Sequence, residues 1–69
     1  MSFIERQIEM LKDAIEKGII TKDSPLISEQ KEGIIDMLFE MYEATGVNLS
    51  KSEIGARVDK LFADKLGVD

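Results

Sequence analysis

The sequence predicts an all-α fold, a small three-helix bundle with short loops. Three segments place apolar residues at spacings of three and four, which is the period of an amphipathic helix. Each segment is preceded by serine and followed by glycine, the residues that often begin and end helices. No segment has the pattern of a strand. We therefore expect helices at about 3–17, 26–44 and 51–66, in a single domain that spans residues 1–69.

The first predicted helix begins after Ser2, which forms the Ser-x-x-Glu pattern of a capping box with Glu5. Its apolar stripe follows at spacings of four, three and four residues and consists of Ile4, Ile8, Leu11 and Ile15. Gly18 is the expected end of this helix, because glycine readily adopts the left-handed conformation that closes a helix.

The second helix has two predicted starts. Ser24 and Pro25 fit an N-cap followed by proline at the first helical position, but they also fit a turn before a later start at Ser28. The start is therefore left open between Pro25 and Glu29, and the end is expected at about Ala44. The apolar arc of this helix covers about half of its circumference or more, which is typical of the central helix of a bundle.

The third helix is predicted from a second Ser-x-x-Glu pattern, Ser50 and Glu53. Gly55 lies at the edge of its apolar stripe, where a missing side chain lets another helix approach closely. Gly67 is the expected C-cap. The stripe itself consists of Ile54, Val58, Leu61, Phe62 and Leu66.

The composition argues against an enzyme. The chain has no Cys and no His, so it lacks disulfides, thiolate metal sites and the nucleophile–base pairs that need either residue. The five glycines are dispersed, so no phosphate-binding loop is present. We predict no catalytic residues, no metal site and no cofactor.

The charge balance indicates the kind of partner. A net charge of -5 disfavours binding to nucleic acid or to anionic lipid, both of which attract clustered Lys and Arg. No apolar run has the length of a signal peptide or of a membrane span, so a cytoplasmic location is expected. A basic protein surface is the natural partner of an acidic chain. The many large apolar residues leave a monomer and a homodimer equally open.

One face of the second helix is acidic. Glu29 and Glu32 lie in its first turns, where the helix dipole favours anions. The remaining acids have no such reason and suggest a basic partner, unless Arg6, Lys12 or Lys17 of a neighbouring helix neutralises them. The stripe follows spacings of three, four, four and three residues and consists of Glu29, Glu32, Asp36, Glu40 and Glu43.

These patterns predict a small acidic, non-enzymatic protein-binding module, a regulator or inhibitor that docks a basic or amphipathic partner surface. Three methionines stand at helical spacing beside Ile and Leu, and we expect them in the core, with an adaptable partner groove as the alternative; they are Met10, Met37 and Met41. The predicted partner-binding residues combine three acids with an apolar patch and are Asp36, Glu40, Glu43, Leu26, Ile27 and Phe39.

Two other functions remain open. A DNA-associated regulator would present the third helix, with Lys51, Arg57 and Lys60 toward the phosphates, although acids on the same helix would repel them. A structural oligomerisation module would use the apolar excess as its interface.

The run Ser28-Glu29-Gln30-Lys31-Glu32-Gly33 resembles the Ser/Thr-x-x-x-Glu-Gly/Asn inhibitory motif of small antitoxins that restrain Fic-domain AMP-transferases. The match covers six of 69 residues and fixes three of them. The resemblance implies an antitoxin in which Glu32 is the inhibitory glutamate that blocks productive ATP binding. Alternatively, Ser28 is a plain N-cap, with Glu29 and Glu32 as favourable acids of the first turn.

Overall fold

The computed structural model describes residues 2–67 and confirms the predicted all-α fold. Its helices are α1 (Phe3–Glu16), α2 (Pro25–Ala44) and α3 (Lys51–Leu66). Residue 1 and residues 68–69, which the predicted domain includes, lie outside the described part of the chain. None of these three helices has both the length and the apolar composition needed to cross a membrane.

The two predicted capping boxes differ in completeness. At α1, Ser2 Oγ accepts a hydrogen bond from the Glu5 N–H at 3.2 Å, and Glu5 Oε1 accepts one from the Ser2 N–H at 3.4 Å. At α3, Ser50 Oγ also accepts from the Glu53 N–H at 3.2 Å. However, the Glu53 carboxylate accepts from the Ser50 hydroxyl instead of the Ser50 backbone. The second box is therefore only half formed.

The start of α2 lies at the earlier of the two predicted positions. Ser24 is the N-cap, since its Oγ accepts a hydrogen bond from the Leu26 N–H at 3.3 Å. Pro25 occupies the first helical position, where its missing N–H costs no hydrogen bond. At the other helix ends, Gly18 and Gly67 take positive φ values of 75° and 72°, which an L side chain rarely adopts. α1 ends at Glu16, one residue before the expected end.

α3 is the central helix of the bundle, because it packs against both α1 and α2. The prediction that α2 is central was therefore wrong. Ile35 of α2 lies beside Gly55, with its Cδ1 3.7 Å from the position of a Cβ on that glycine. Part of the wide apolar arc of α2 remains at the surface instead of facing a second helix.

α2 and α3 run antiparallel and are linked by two lysines. Lys31 Nζ lies 3.1 Å from Asp59 Oδ1, and its ammonium lies 5.5 Å from the centroid of the Phe62 ring. Lys51 Nζ lies 3.1 Å from Asp36 Oδ1. Phe62 is fully buried at the centre of the core. The buried core draws on all three helices and consists of Ile8, Leu11, Ile27, Ile34, Leu38, Ile54, Val58, Phe62 and Leu66.

Glu5 is expected to make the stability of the fold depend on pH in the acidic range. Hydrogen bonds from Ser2, with attraction to Lys65, hold the pKa of Glu5 below its ordinary value. A carboxylate whose pKa is lower in the folded state stabilises the fold above its unfolded pKa of about 4.3. This stabilisation disappears as the pH falls through the lower, folded pKa. Glu5→Gln should therefore reduce stability at about pH 6, and this effect should shrink as the pH falls below about 4.3.

The measurement is the free energy of unfolding by urea across this pH range for wild type and variant. Glu9→Gln is the matched control, since Glu9 is exposed on the same helix and has no ion pair within residues 2–67. A constant difference between wild type and Glu5→Gln at all pH values would contradict the assigned role of Glu5.

Candidate protein-binding groove

The methionines of the described chain lie at the surface. Met10, Met37 and Met41 are 65%, 40% and 50% exposed, so the expectation that they belong to the core was wrong. The apolar side of each outer helix is wider than the strip that α3 covers, and these side chains fall on the uncovered part. Phe3, at the start of α1, is likewise 55% exposed.

Two adjoining cavities lie between α1 and α2. Their volumes are about 210 and 350 Å³, and both are lined by Phe3 and Met37. We refer to them together as the α1–α2 groove. They form because both helices pack against α3 while approaching each other less closely. The groove is lined mainly by apolar groups and includes Ser2, Phe3, Ile4, Gln7, Glu29, Gln30, Gly33, Ile34, Met37, Leu38 and Met41.

Regular helix geometry builds the α2 wall of the groove. Gln30, Gly33, Met37 and Met41 follow at spacings of three, four and four, so they share one helix face. Gly33 is the low point of this wall. A Cβ at Gly33 would meet no heavy atom within 4 Å, so the helix backbone is bare at the groove.

Acidic side chains border the α2 wall. Glu29 lines the groove itself, and Glu40 lies one turn from Met37. Both are exposed, and the ion pairs within residues 2–67 include neither of them. The groove therefore combines an apolar floor with negative charge along one edge.

The three predicted partner-binding acids differ in their surroundings. Asp36 forms the ion pair with Lys51, whose ammonium also lies 5.4 Å from the centroid of the Phe39 ring. Glu40 and Glu43 are exposed and lie in no ion pair within the described residues. The last turn of α2 contains no basic residue that would compensate them.

The lysine that neutralises Asp36 is not one of the three predicted cations. It comes from α3, the helix that packs against that side of α2. Lys17 instead pairs with Asp13 of its own helix, with 2.9 Å between Lys17 Nζ and Asp13 Oδ2. Hydrogen bonding to Asp13 raises the pKa of Lys17. Arg6 and Lys12 are exposed and form no ion pair with the acidic stripe within residues 2–67.

The predicted apolar patch is not a single surface. Leu26 is exposed, but Ile27 is only 4% exposed and lies in the core, so Ile27 is unable to contact a partner. The prediction that Ile27 is a partner-binding residue was therefore wrong. Phe39 is half-buried and packs against the core beneath Lys51. Residues 26 and 27 are adjacent in sequence, but one faces solvent and the other faces the core, because successive helical residues point in different directions.

The sequence did contain a signal for the groove. Met37 and Met41 stand one turn apart, as do Phe3 and Gln7. Their spacing shows that each pair shares a face. It does not show whether that face is covered, because coverage depends on where α3 packs.

The structure also shows the surroundings of the residues that the DNA-binding and antitoxin alternatives would use. Of the three α3 cations of the DNA-binding alternative, Lys51 lies in an ion pair with Asp36, while Arg57 and Lys60 are exposed and lie in no ion pair within residues 2–67. Ser28 and Glu32 are exposed and one turn apart within α2. In the described part of the chain, no three acidic side chains come together as metal ligands.

The chain was compared with protein-family models, with curated proteins and with solved structures. None of the three comparisons finds a match. Function is therefore inferred from the geometry of the groove.

Proposed function

We propose that this protein is a small, non-enzymatic regulator that binds an amphipathic helix of a partner protein in the α1–α2 groove. The observation that supports this most directly is the exposure of Phe3, Met37 and Met41 around adjoining cavities. Contiguous exposed apolar surface on a folded domain is typical of interaction sites and ligand-binding grooves. A groove between two helices suits a helical ligand with anchors on one face.

The apolar floor provides both an anchor and adaptability. Phe3 is a rigid aromatic side chain that lines the groove, and aromatic side chains are enriched in the cores of protein interfaces. Met37 and Met41 have flexible thioether side chains that repack around different apolar partners. Gly33 lets the partner backbone approach α2 closely, since no side chain stands between them.

The acidic edge favours a basic partner. A helix that places its apolar face on the floor would bring its flanking residues near Glu29 and Glu40. Lysine or arginine there would form ion pairs at the rim, which speed association and set orientation more than they add affinity. The net charge of -5 extends this attraction to long range.

α3 supports the alternative of DNA binding less well. Of its three candidate cations, Lys51 is engaged with Asp36 of α2. Arg57 and Lys60 are exposed, but they share the helix with the exposed acids Glu53, Asp59 and Asp64, which would repel phosphate. A homodimer that covers the groove remains a distinct outcome of the experiment below.

The test is binding of a synthetic helix of about 18 residues, in which leucines occupy one face and lysines flank it. Glu29→Lys/Glu40→Lys should weaken binding about tenfold at about 0.05 M salt, and less at about 0.3 M, because salt screens the rim charges. Fluorescence anisotropy of the labelled peptide gives the dissociation constants.

The matched control is Glu9→Lys/Glu16→Lys, which changes the net charge equally at exposed positions of α1 that do not line the groove. Equal weakening by both double variants would show only general electrostatic attraction and would refute the groove. Light scattering on the free chain completes the test. A dimer that Met37→Gln dissociates would favour the structural oligomerisation module instead.

A further inference from the structure

A third cavity lies on the other side of Ile4, where all three helices meet. Its volume is about 170 Å³. The walls are apolar and include Ile4 of α1, Leu38 of α2 and Ile54 of α3. Ile54 is almost fully buried, so the base of this cavity belongs to the core. Cavities of about 150 Å³ with such walls accept a body of about six carbon atoms, such as benzene.

Two polar groups stand at the rim of the cavity. Arg57 is exposed, and it forms no ion pair within residues 2–67. Tyr42 is half-buried, and none of the side-chain hydrogen bonds of the described residues involves its hydroxyl. The apolar base and polar rim are the arrangement of a small-molecule site, in which a few polar groups fix the ligand orientation.

We infer that this cavity binds a small monocarboxylate with an apolar body of about six carbons. The planar guanidinium of Arg57 matches a carboxylate, to which it donates two parallel hydrogen bonds. The Tyr42 hydroxyl donates a third. The apolar body of the ligand then lies against Leu38 and Ile54.

The charges around Arg57 restrict the ligand to one negative charge. Glu53 and Asp64 lie four residues before and seven residues after Arg57, so all three side chains share one side of α3. Both acids are exposed and would repel a dianion such as a phosphate monoester. A monocarboxylate gains the Arg57 contact with less repulsion.

Heptanoate is the probe, followed by amide chemical shifts of the ¹⁵N-labelled full chain. It should bind with a dissociation constant on the order of 1 mM and shift the amides of Ile54, Val58 and Leu61, which line this cavity and not the groove, to saturation. Heptan-1-ol, with the same body and no charge, should bind about tenfold more weakly. Arg57→Gln should weaken heptanoate binding about tenfold, and Tyr42→Phe should weaken it severalfold.

Lys60→Gln is the matched control, since it removes the same charge from α3 at a residue that does not line the cavity. Heptanoate binding that is equal in Arg57→Gln and Lys60→Gln would overturn the assignment. Equal binding of heptanoate and heptan-1-ol would do the same. Shifts confined to Phe3 and Met37 would place the ligand in the α1–α2 groove and refute this site while leaving the groove intact.

Discussion

Replacement of Phe62 by alanine is expected to unfold most of the protein at room temperature. Phe62 is 0% exposed and is one of the largest fully buried side chains of the core. Truncation of a buried Phe to Ala costs about 3–5 kcal/mol, from lost transfer energy and from the cavity that remains. A domain of this size rarely has more than about 3–5 kcal/mol of stability in total. Urea titration followed by far-ultraviolet circular dichroism measures the loss.

Phe3→Ala is the control, because it is the same chemical change at a side chain that is 55% exposed. We expect it to change stability by less than about 1 kcal/mol, since surface substitutions seldom exceed this. It should nevertheless weaken binding of the leucine–lysine helix, because Phe3 lines the groove. A destabilisation as large as that of Phe62→Ala would mean that Phe3 is part of the core.

The helix ends were the features most accessible from sequence, because they depend on local chemistry. Ser2, Ser24 and Ser50 each supply a side-chain oxygen to a backbone N–H of the first turn. A choice between the two predicted starts of α2 required the structure. Both starts satisfy the local rules. The structure distinguishes them, because α2 begins at Pro25 and the Ser24 side chain accepts a hydrogen bond from the Leu26 N–H.

The sequence did not show which parts of the apolar helix faces are buried and which remain at the surface. Helical spacing identifies which residues share a face, but several helix arrangements bury different parts of a wide arc. In this protein Ile27 and Ile34 of α2 are buried in the core, whereas Met37 and Met41 of the same arc remain exposed. The predicted site therefore contained one core residue, Ile27, and omitted most of the groove floor.

The acidic stripe of α2 is explained only in part by contacts within the chain. Asp36 pairs with Lys51. Because α2 begins at Pro25, its first turn contains no acid, so the expectation that the helix dipole accounts for Glu29 and Glu32 was wrong. Glu40 and Glu43 remain near the C-terminal end, where the helix dipole disfavours anions. Glu40 lies one turn from Met37 of the groove, so a partner cation beside it would relieve this local cost of the free protein.

Substitution of Gly33 is expected to separate stability from binding. Glycine inside a helix is less stable than alanine by about 0.5–1 kcal/mol, and no neighbour lies within 4 Å of an added Cβ. Gly33→Ala should therefore raise the free energy of unfolding by about that amount. Gly33→Leu should fill the low point of the groove and weaken binding of the leucine–lysine helix at least about tenfold, since a partner backbone no longer fits against α2.

Gly55→Ala provides the comparison, because Gly55 is also inside a helix but faces Ile35 and not the groove. Its added Cβ would make an ordinary contact at 3.7 Å, so it should stabilise the fold to a similar degree and leave peptide binding unchanged. If Gly33→Leu is more stable and still binds the peptide as tightly as wild type, the partner does not use the groove. In that case Gly33, which lowers the stability of α2, has no role in recognition. If Gly33→Leu loses peptide binding and Gly55→Ala does not, the stability lost by having glycine at position 33 is explained by the close approach of a partner helix.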